Sequence, residues 1–551
     1  MADADRNTRP DISPVDQAVI TQALVAATQE MGAKLIRSAH SPIVREAQDC
    51  SAALMDADGN VVAQAELIPV QLGSVSHTFR PCIEAHPADT LQEGDFLINN
   101  DPYSGGQHLP DIFIFSPIFL DGDLIGFSAS VVHHVDLGGG APGLNPDAGD
   151  VHQEGLIFPP SRYNIDRDWN GGAFEKLIRA NVRMPDATVG DINAQLAANA
   201  IGAERLRDVA RRFGNAKLAA AMTEMLNYSE RRMRAAIASL PDGTYEGTAC
   251  IDDDGKGADP INIRAQMSVA GDGVHIRFDG TDDQVATNIN CPFASTVASA
   301  VSAVKSAITS PDIPFNDGAA RAITVEAPYG TILNPKPPAA VRARLLPSYR
   351  VYNSVMNAML QAAPDKAVAN GFDTTCVVCL SHLGESGYNI YIEIFGGGNG
   401  AGKDNDGCDG VDSPLSNCAN IPVEAMEMDY PFFRVEDYSL IPGTGGAGRM
   451  RGGMGFQRIY RIVEPGVSFA TYGDRFAIPA PGVFGGEAGA PAEILVDRDG
   501  EMIRLSSKQQ FDLQVGDRLI YRTGGGGGYG PVAERPVAQI ENDMKMGFVA
   551  S

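Results

Sequence analysis

The chain has 551 residues, of which 44% are hydrophobic and 20% charged; its 43 Lys and Arg face 69 Asp and Glu, for a formal net charge of −26. That is globular composition with room for roughly two to four domains, and it excludes a largely disordered chain. The acidity repels phosphate backbones and anionic lipid, so no nucleic-acid partner and no membrane partner is expected.

The chain opens on MADADRNTRPDISP, which is polar and has no basic-then-apolar leader pattern. No run comes near the roughly 18 apolar residues a bilayer span needs, so the reading is a cytoplasmic protein. Residues 14–38 repeat apolar positions at helical spacing and predict an amphipathic helix. The stretch DCSAALMDADGNVVAQAE predicts a hairpin bending at Asp58-Gly59-Asn60. Residues 96–136 are strand-rich. From about 188 to 240 the pattern turns helical, with a break at Gly214-Asn215 and an end at Pro241-Asp242-Gly243. The boundary drawn there gives an N-terminal region 12–243, a β-rich region 244–535 and a tail 536–551.

Past 243 the segments GTYEGTACID, INIRAQMSVA and HIRFDGT read as strands, with helices predicted at 296–309 and 350–363. Glycine-dense runs, GGGNGAGKDNDGCDG, GTGGAGRMRGGMG and TGGGGGYG, alternate with strand-like segments such as FQRIYRIV and AEILVD. Glycines placed so predict tight turns and close backbone approach rather than linkers. The fold class is α+β and multi-domain: strand-rich, with a helical segment at about 188–240 and a glycine-rich, β-rich C-terminal half. Eight cysteines are scattered too thinly for a disulfide framework and read as free thiols. Cys376 and Cys379 spell CxxC, but inside an apolar run with no second pair, which favours a buried strand over a metal site.

The chemistry concentrates early. Seven of the nine histidines fall within the first 152 residues. Two apolar runs, 112–119 and 124–132, are joined by Asp121-Gly122-Asp123 and predict an antiparallel hairpin. Pairing across that turn brings His108 and Asp111 to the end of the second strand, beside His133 and His134. Two imidazoles and a carboxylate converging on one point suit Zn, Fe, Mn or Ni. Neighbouring His133 and His134 point to opposite faces, so one of them ligates, and the pairing alone does not say which. Asp136 is a candidate acceptor that orients a ligand histidine, and Asp49 and Glu154 are further carboxylates within reach. The plainer alternative has Asp101, Asp111 and Asp136 capping turns and the histidines incidental. No GxSxG elbow and no GxxxxGK[ST] loop occurs, and GTGGAGRMRGG lacks the flanks of a dinucleotide site.

In order, NDPYSGGQHLPD, HHVDLGG, HQEGL, ILNPKPPAAV, NIPVEAMEMDYP, GGAGRMRGGMGF and GGGGGYG resemble the motifs of the hydantoinase B family over roughly residues 14–532. That family includes beta subunits of ATP-dependent hydantoinases and caprolactamase, half of 5-oxoprolinase, and a subunit of acetone and acetophenone carboxylases. The resemblance implies a hetero-oligomer with a hydantoinase A-type, actin-like subunit that binds ATP and phosphorylates the substrate's carbonyl oxygen. It implies a divalent metal (Zn, Mn or Fe) on His108, Asp111 and His133, with Asp49 as a fourth ligand; here the family pattern selects His133. Water activated on that metal would attack the phosphorylated carbonyl of a small cyclic amide, with Glu154 or Asp136 taking the proton. The chain departs from the family where many members carry a Gly-Gly-Asn-x-Glu-Thr-like stretch. Here VRARLLPSYRVYNSVMNAML places Arg344 and Tyr349, candidate substrate-binding residues. A ketone carboxylase subunit and a non-catalytic scaffold for the ATP-binding subunit are the alternative functions.

Overall fold

The computed structural model describes residues 12–549 apart from Glu66, Ala258 and Ser386. Most of the polar opening segment, residues 1–11, and the last two residues of the expected tail lie outside the described residues. Among the described residues, no helix is long and apolar enough to cross a membrane.

The first helix, Pro14–Ser38, starts where the sequence says it should. The Ser13 hydroxyl accepts the Asp16 N–H at 3.1 Å, and Pro14 occupies the first turn. Its buried face is Ile20, Leu24, Ala27, Met31 and Leu35, spaced three and four apart. It lies on the helix Pro185–Phe213, which begins three residues ahead of the expected segment and stops at Gly214, where φ is +86°. A third helix, Asn215–Ile237, follows directly.

These helices cover one face of a six-stranded sheet built from β1 (Cys50–Met55), β2 (Val61–Gln64), β3 (Asp95–Asn99), β4 (Asp111–Leu120), β5 (Asp123–His133) and β6 (Ser161–Asn164). The strand order is β2-β1-β5-β4-β3-β6, and every pairing is antiparallel. Helix and sheet are stitched by side-chain amides. Gln195 donates to the Ile112 carbonyl at 2.9 Å and Asn199 to that of Ile114 at 3.1 Å. On the other face the helix Val75–Ala85 sets Phe79 edge-on to Phe115 and Phe127.

After residue 243, β7 (Gly243–Ile251), β8 (Ile261–Ala270), β9 (Gly273–Arg277) and β10 (Ile323–Glu326) form a second sheet, backed by the helices Phe293–Ile308 and Leu345–Ala362. The latter begins five residues earlier than its apolar pattern suggested. Nine more strands between Cys376 and Arg522 make sheets of four and five. The six-stranded sheet lies wholly before 243 and the others wholly after it. One hydrophobic cluster nevertheless runs across, joining Leu24 and Leu206 to Ile276 and Leu346. The exposed helix Val537–Met546 ends the chain, tied back where Arg535 pairs with Asp406 and Asp543.

The glycine runs pack backbone against backbone. Along 525–530 successive N–H groups donate to different neighbours, and two of those neighbours are met again three residues on. Gly525 and Gly528 donate to the carbonyls of Ala490 and Glu487, Gly526 and Tyr529 to those of Gly453 and Met450, and Gly527 and Gly530 to those of Asn370 and Val483. A three-residue repeat with no hydrogen bond inside the segment is that of a polyproline-II-type helix, here surrounded by other chain segments. TGGGGGYG is therefore the packed centre of a bundle, as the expectation of close backbone approach required.

Candidate metal centre

The hairpin of β4 and β5 turns on Asp121-Gly122, one residue shorter than expected because β5 already includes Asp123. Both turn residues have positive φ, at 54° and 91°. Its register sets Asp111 opposite His133. On the other side of β5, β1 pairs Cys50 with Val132, and the His133 N–H donates to the Asp49 carbonyl at 3.1 Å. Asp49 is thereby carried to the same end of the sheet. His108 arrives from the preceding loop, which Asn100 anchors by donating to the Leu109 carbonyl at 2.7 Å.

One ligating atom from each of His108, Asp111 and His133 lies within 4.8 Å of the others. His108 Nε2 is 3.3 Å and His133 Nδ1 3.4 Å from Asp111 Oδ1, and His133 Nδ1 is 3.7 Å from Asp49 Oδ2. All four residues are buried. His134 faces the other way, its Nε2 lying 3.2 Å from Gln195 Oε1 under the helix Pro185–Phe213.

Burial and the Arg344 charge push His108 down to about 3, and burial pushes His133 down to about 4, so both imidazoles are neutral at physiological pH. His108 Nδ1 lies 2.8 Å from the Arg342 carbonyl, which only accepts, so Nδ1 carries the proton and Nε2 presents a lone pair. Burial opposes charge on Asp111, but the Arg344 guanidinium paired with it outweighs burial and holds its carboxyl well below the usual range. Burial and the Asp111 charge push Asp49 well above that range. A bare imidazole nitrogen thus faces an ionised carboxylate oxygen with no proton between them, and His108 Nε2 has no hydrogen-bond partner. A cation placed between them removes that conflict, so the donor set fits a divalent metal.

The other predicted residues fall into place differently. Arg344 stands at the cluster, its guanidinium paired with Asp111 and donating to Gln107 Oε1 at 2.8 Å. Tyr349 does not reach the cluster; its hydroxyl donates to Asp412 Oδ1 at 3.2 Å, behind it. Asp136 is not brought to a ligand histidine. It accepts from the Gly138 and Arg183 backbone N–H groups and pairs with the Arg183 guanidinium, which fixes its own loop. Glu154 does not face the reacting space either. Its carboxylate accepts the backbone N–H groups of Val341 and Arg342, at 3.0 and 2.7 Å, and burial raises it to about 8. Because the Arg342 carbonyl is the partner of His108 Nδ1, Glu154 acts on the cluster by fixing the backbone of Arg342. Glu154→Ala is expected to weaken metal affinity by about 10–100-fold, read by chelator competition with elemental analysis.

Sequence reasoning missed Gln71, which donates to Asp49 at 2.8 Å, and Gln107. Gln107 adjoins His108 in GGQHLPD, a signal available in the motif; ELIPVQLGS gives none for Gln71. Cys376 and Cys379 are free and buried on β11 (Cys376–Gly384), and no metal-competent group among the described residues includes a cysteine.

The profile of the hydantoinase B/oxoprolinase family matches residues 13–532. A Pseudomonas protein (strain NS671) provisionally named as the B-type subunit of a D-/L-hydantoinase is 32% identical over 556 residues, covering 98% of this chain and 93% of that one. The beta subunit of caprolactamase from Pseudomonas jessenii is 30% identical over 562 residues, covering 98% and 94%. The crystal structure of the ATP-dependent caprolactamase from that organism superposes with a TM-score of 0.89, covering 98% of this chain and 95% of the other. Acetone carboxylase, at 18% identity, shares the fold with a TM-score of 0.86, covering 98% of this chain and 78% of its own. The match over nearly the whole chain places this protein in the hydantoinase B/oxoprolinase family.

Proposed function

We propose that this chain is the beta-type subunit of an ATP-dependent cyclic-amide hydrolase, acting on a hydantoin, lactam or oxoproline-like ring. The observation that carries the reading is the buried set of two neutral imidazoles and an ionised carboxylate, with one imidazole lone pair left unpartnered. Similarity to proteins named as subunits of a hydantoinase and a caprolactamase supports it. The partner is a hydantoinase A-type ATP-binding subunit that phosphorylates the carbonyl oxygen of the amide. O-phosphorylation removes amide resonance and creates a leaving group.

His108, Asp111 and His133 would hold a divalent ion, Zn, Mn or Fe, which when bound supplies Lewis acidity and lowers the pKa of a water. The protein's own groups do the rest. The Arg342 carbonyl fixes the His108 tautomer, and Gln71 fixes Asp49. With Glu154 and Asp136 engaged elsewhere, Asp49, its Oδ2 3.7 Å from His133 Nδ1, would stand as the fourth ligand. Arg344 sets a positive charge beside the cluster that can meet the phosphoryl oxygens of the activated amide.

A ketone carboxylase subunit is the competing reading, since acetone carboxylase shares the fold. The test is to co-express the chain with its ATP-binding partner and follow phosphate release with lactams, hydantoins and ketones. Stimulation by a cyclic amide without bicarbonate is expected. A response only to ketone plus bicarbonate would overturn the proposal.

A further inference from the structure

The cluster is walled off from any space a ring could occupy. The cavity bounded by Asp49, His108, His133 and Arg344 is about 10 Å³, room for at most one water. Across a single layer of chain lies a cavity of about 480 Å³, the size that holds a small molecule. The layer is the segment 67–72, and its residues divide between the two spaces. Leu67, Pro69 and Leu72 line the outer cavity, whereas Ile68, Val70 and Gln71 line the inner one. A second stretch divides likewise, with Pro414 and Asn417 outward and Ser416 inward. The helix Leu345–Ala362 does the same, presenting Leu345 to the cluster and Tyr352 to the outer cavity.

The partition is hydrogen-bonded on both sides, and on the inner side Gln107 Nε2 donates to the Val70 carbonyl at 2.6 Å, the Ile68 N–H to Ser51 Oγ at 3.2 Å and Ser51 Oγ to Gln71 Oε1 at 3.1 Å. The Val70 N–H donates to the Leu415 carbonyl at 3.1 Å, and Asn417 Nδ2 donates to the Leu67 carbonyl at 3.0 Å. On the inner side Gln71 is hydrogen-bonded to Asp49. Opposite the partition the outer cavity offers Phe315 and the Tyr352 ring as apolar surface. The Ser302, Ser306 and Tyr352 hydroxyls form a polar edge, with Ser306 Oγ 2.9 Å from the Tyr352 hydroxyl. The cation there, Lys305, lies over the Phe315 ring at 5.4 Å.

We propose that this outer cavity receives the ring of a lactam-type cyclic amide, and that segment 67–72 is the partition its phosphorylated carbonyl must pass to reach the cluster. The inference rests on the cyclic-amide reading above. The chemistry of the lining fits a ring of methylenes with one amide edge: apolar faces for the carbons, hydroxyls for the amide. Displacing the partition breaks the Gln71–Asp49 hydrogen bond, so entry and the state of Asp49 are mechanically linked.

Two blocking variants on the cavity rim, Ser306→Trp and Pro311→Trp, fill the outer cavity without touching the cluster. They are assayed in the complex with the ATP-binding partner, with ε-caprolactam as probe and Val515→Trp, on an exposed turn that lines neither cavity, as control. Both tryptophan variants are expected to lower kcat/KM by about tenfold or more, mostly through KM. Bound metal and melting temperature stay at wild-type values, and saturation transfer from protein to ε-caprolactam is lost by NMR. Val515→Trp stays within about twofold. If both tryptophan variants keep wild-type kcat/KM while His108→Ala is inactive, the cavity is off the route and the hydrolase reading survives. If the wild-type complex turns over no cyclic amide, the hydrolase reading itself falls, and this assignment with it.

Discussion

His108→Ala is expected to release the bound metal and abolish ATP-dependent turnover, while the chain stays folded. Of the three proposed ligands, His108 has the least freedom. Its Nδ1 is committed to the Arg342 carbonyl, so Nε2 can do nothing but accept, and it is aimed at Asp111 Oδ1 from 3.3 Å. Alanine removes one of two neutral nitrogen donors and leaves Asp111 paired with Arg344, an arrangement stable without a metal. The loss in kcat/KM should be about 10²–10³-fold or more, the scale for removing a group that stabilises charge in the transition state. His134→Ala is the matched control, because that side chain packs against Gln195 on the far face of the sheet. Elemental analysis of both purified variants, beside phosphate release, reads the outcome. A His108→Ala protein with full metal content and unchanged turnover would remove the basis of the proposed function.

The second large effect is on stability. Gly526→Ala should prevent folding or destabilise the protein by more than about 4 kcal/mol, the range reserved for severe core disruption. A Cβ built at Gly526 lies 2.0 Å from the Asn399 carbonyl oxygen, 2.3 Å from its carbon and 2.8 Å from the Gly400 nitrogen. These are backbone atoms held in the hydrogen bonds of the bundle, so no flexible side chain can give way. Gly525, Gly527 and Gly528 are enclosed in the same way, by the carbonyls of Thr444, Pro481 and Ala447. Gly149→Ala is the control, since the nearest atom to its Cβ, the Ala286 carbonyl oxygen, is an ordinary 3.6 Å away. Thermal melts of the two variants decide the matter. Equal melting temperatures would mean that the bundle tolerates side chains and is not the tight contact described.

Much of the fold was legible in the sequence because its signals are local. The capping Ser13 and the three-and-four spacing from Ile20 to Leu35 define the first helix without reference to anything else. Gly214 and Pro241 punctuate the helical segment for equally local reasons of backbone conformation. The glycine runs declared close backbone approach, but not which segments approach. The partners of residues 525–530 come from positions 370, 450–453 and 483–490, and such pairings have no trace in a local pattern.

At the metal cluster the division is sharper. The sequence determined that His108, Asp111 and one of two adjacent histidines meet at the open end of a hairpin, since a short turn around Asp121-Gly122-Asp123 and a period of two allow little else. Which histidine faces inward was decided by one residue of register. Counted back from the turn, Leu120 pairs with Asp123 and Phe119 with Leu124, and an unbroken ladder would set Asp111 opposite Val132. A bulge between Ile118 and Phe119, beside Gly126 with its φ of 155°, inserts one residue and sets Asp111 opposite His133. That single shift turns His133 into the cluster and His134 into the helix-covered face. The residues that tune the cluster, Gln71, Arg342 and Glu154, belong to elements that only tertiary packing brings together. Hydrogen bonds spanning 22 to 234 residues leave no periodicity to read.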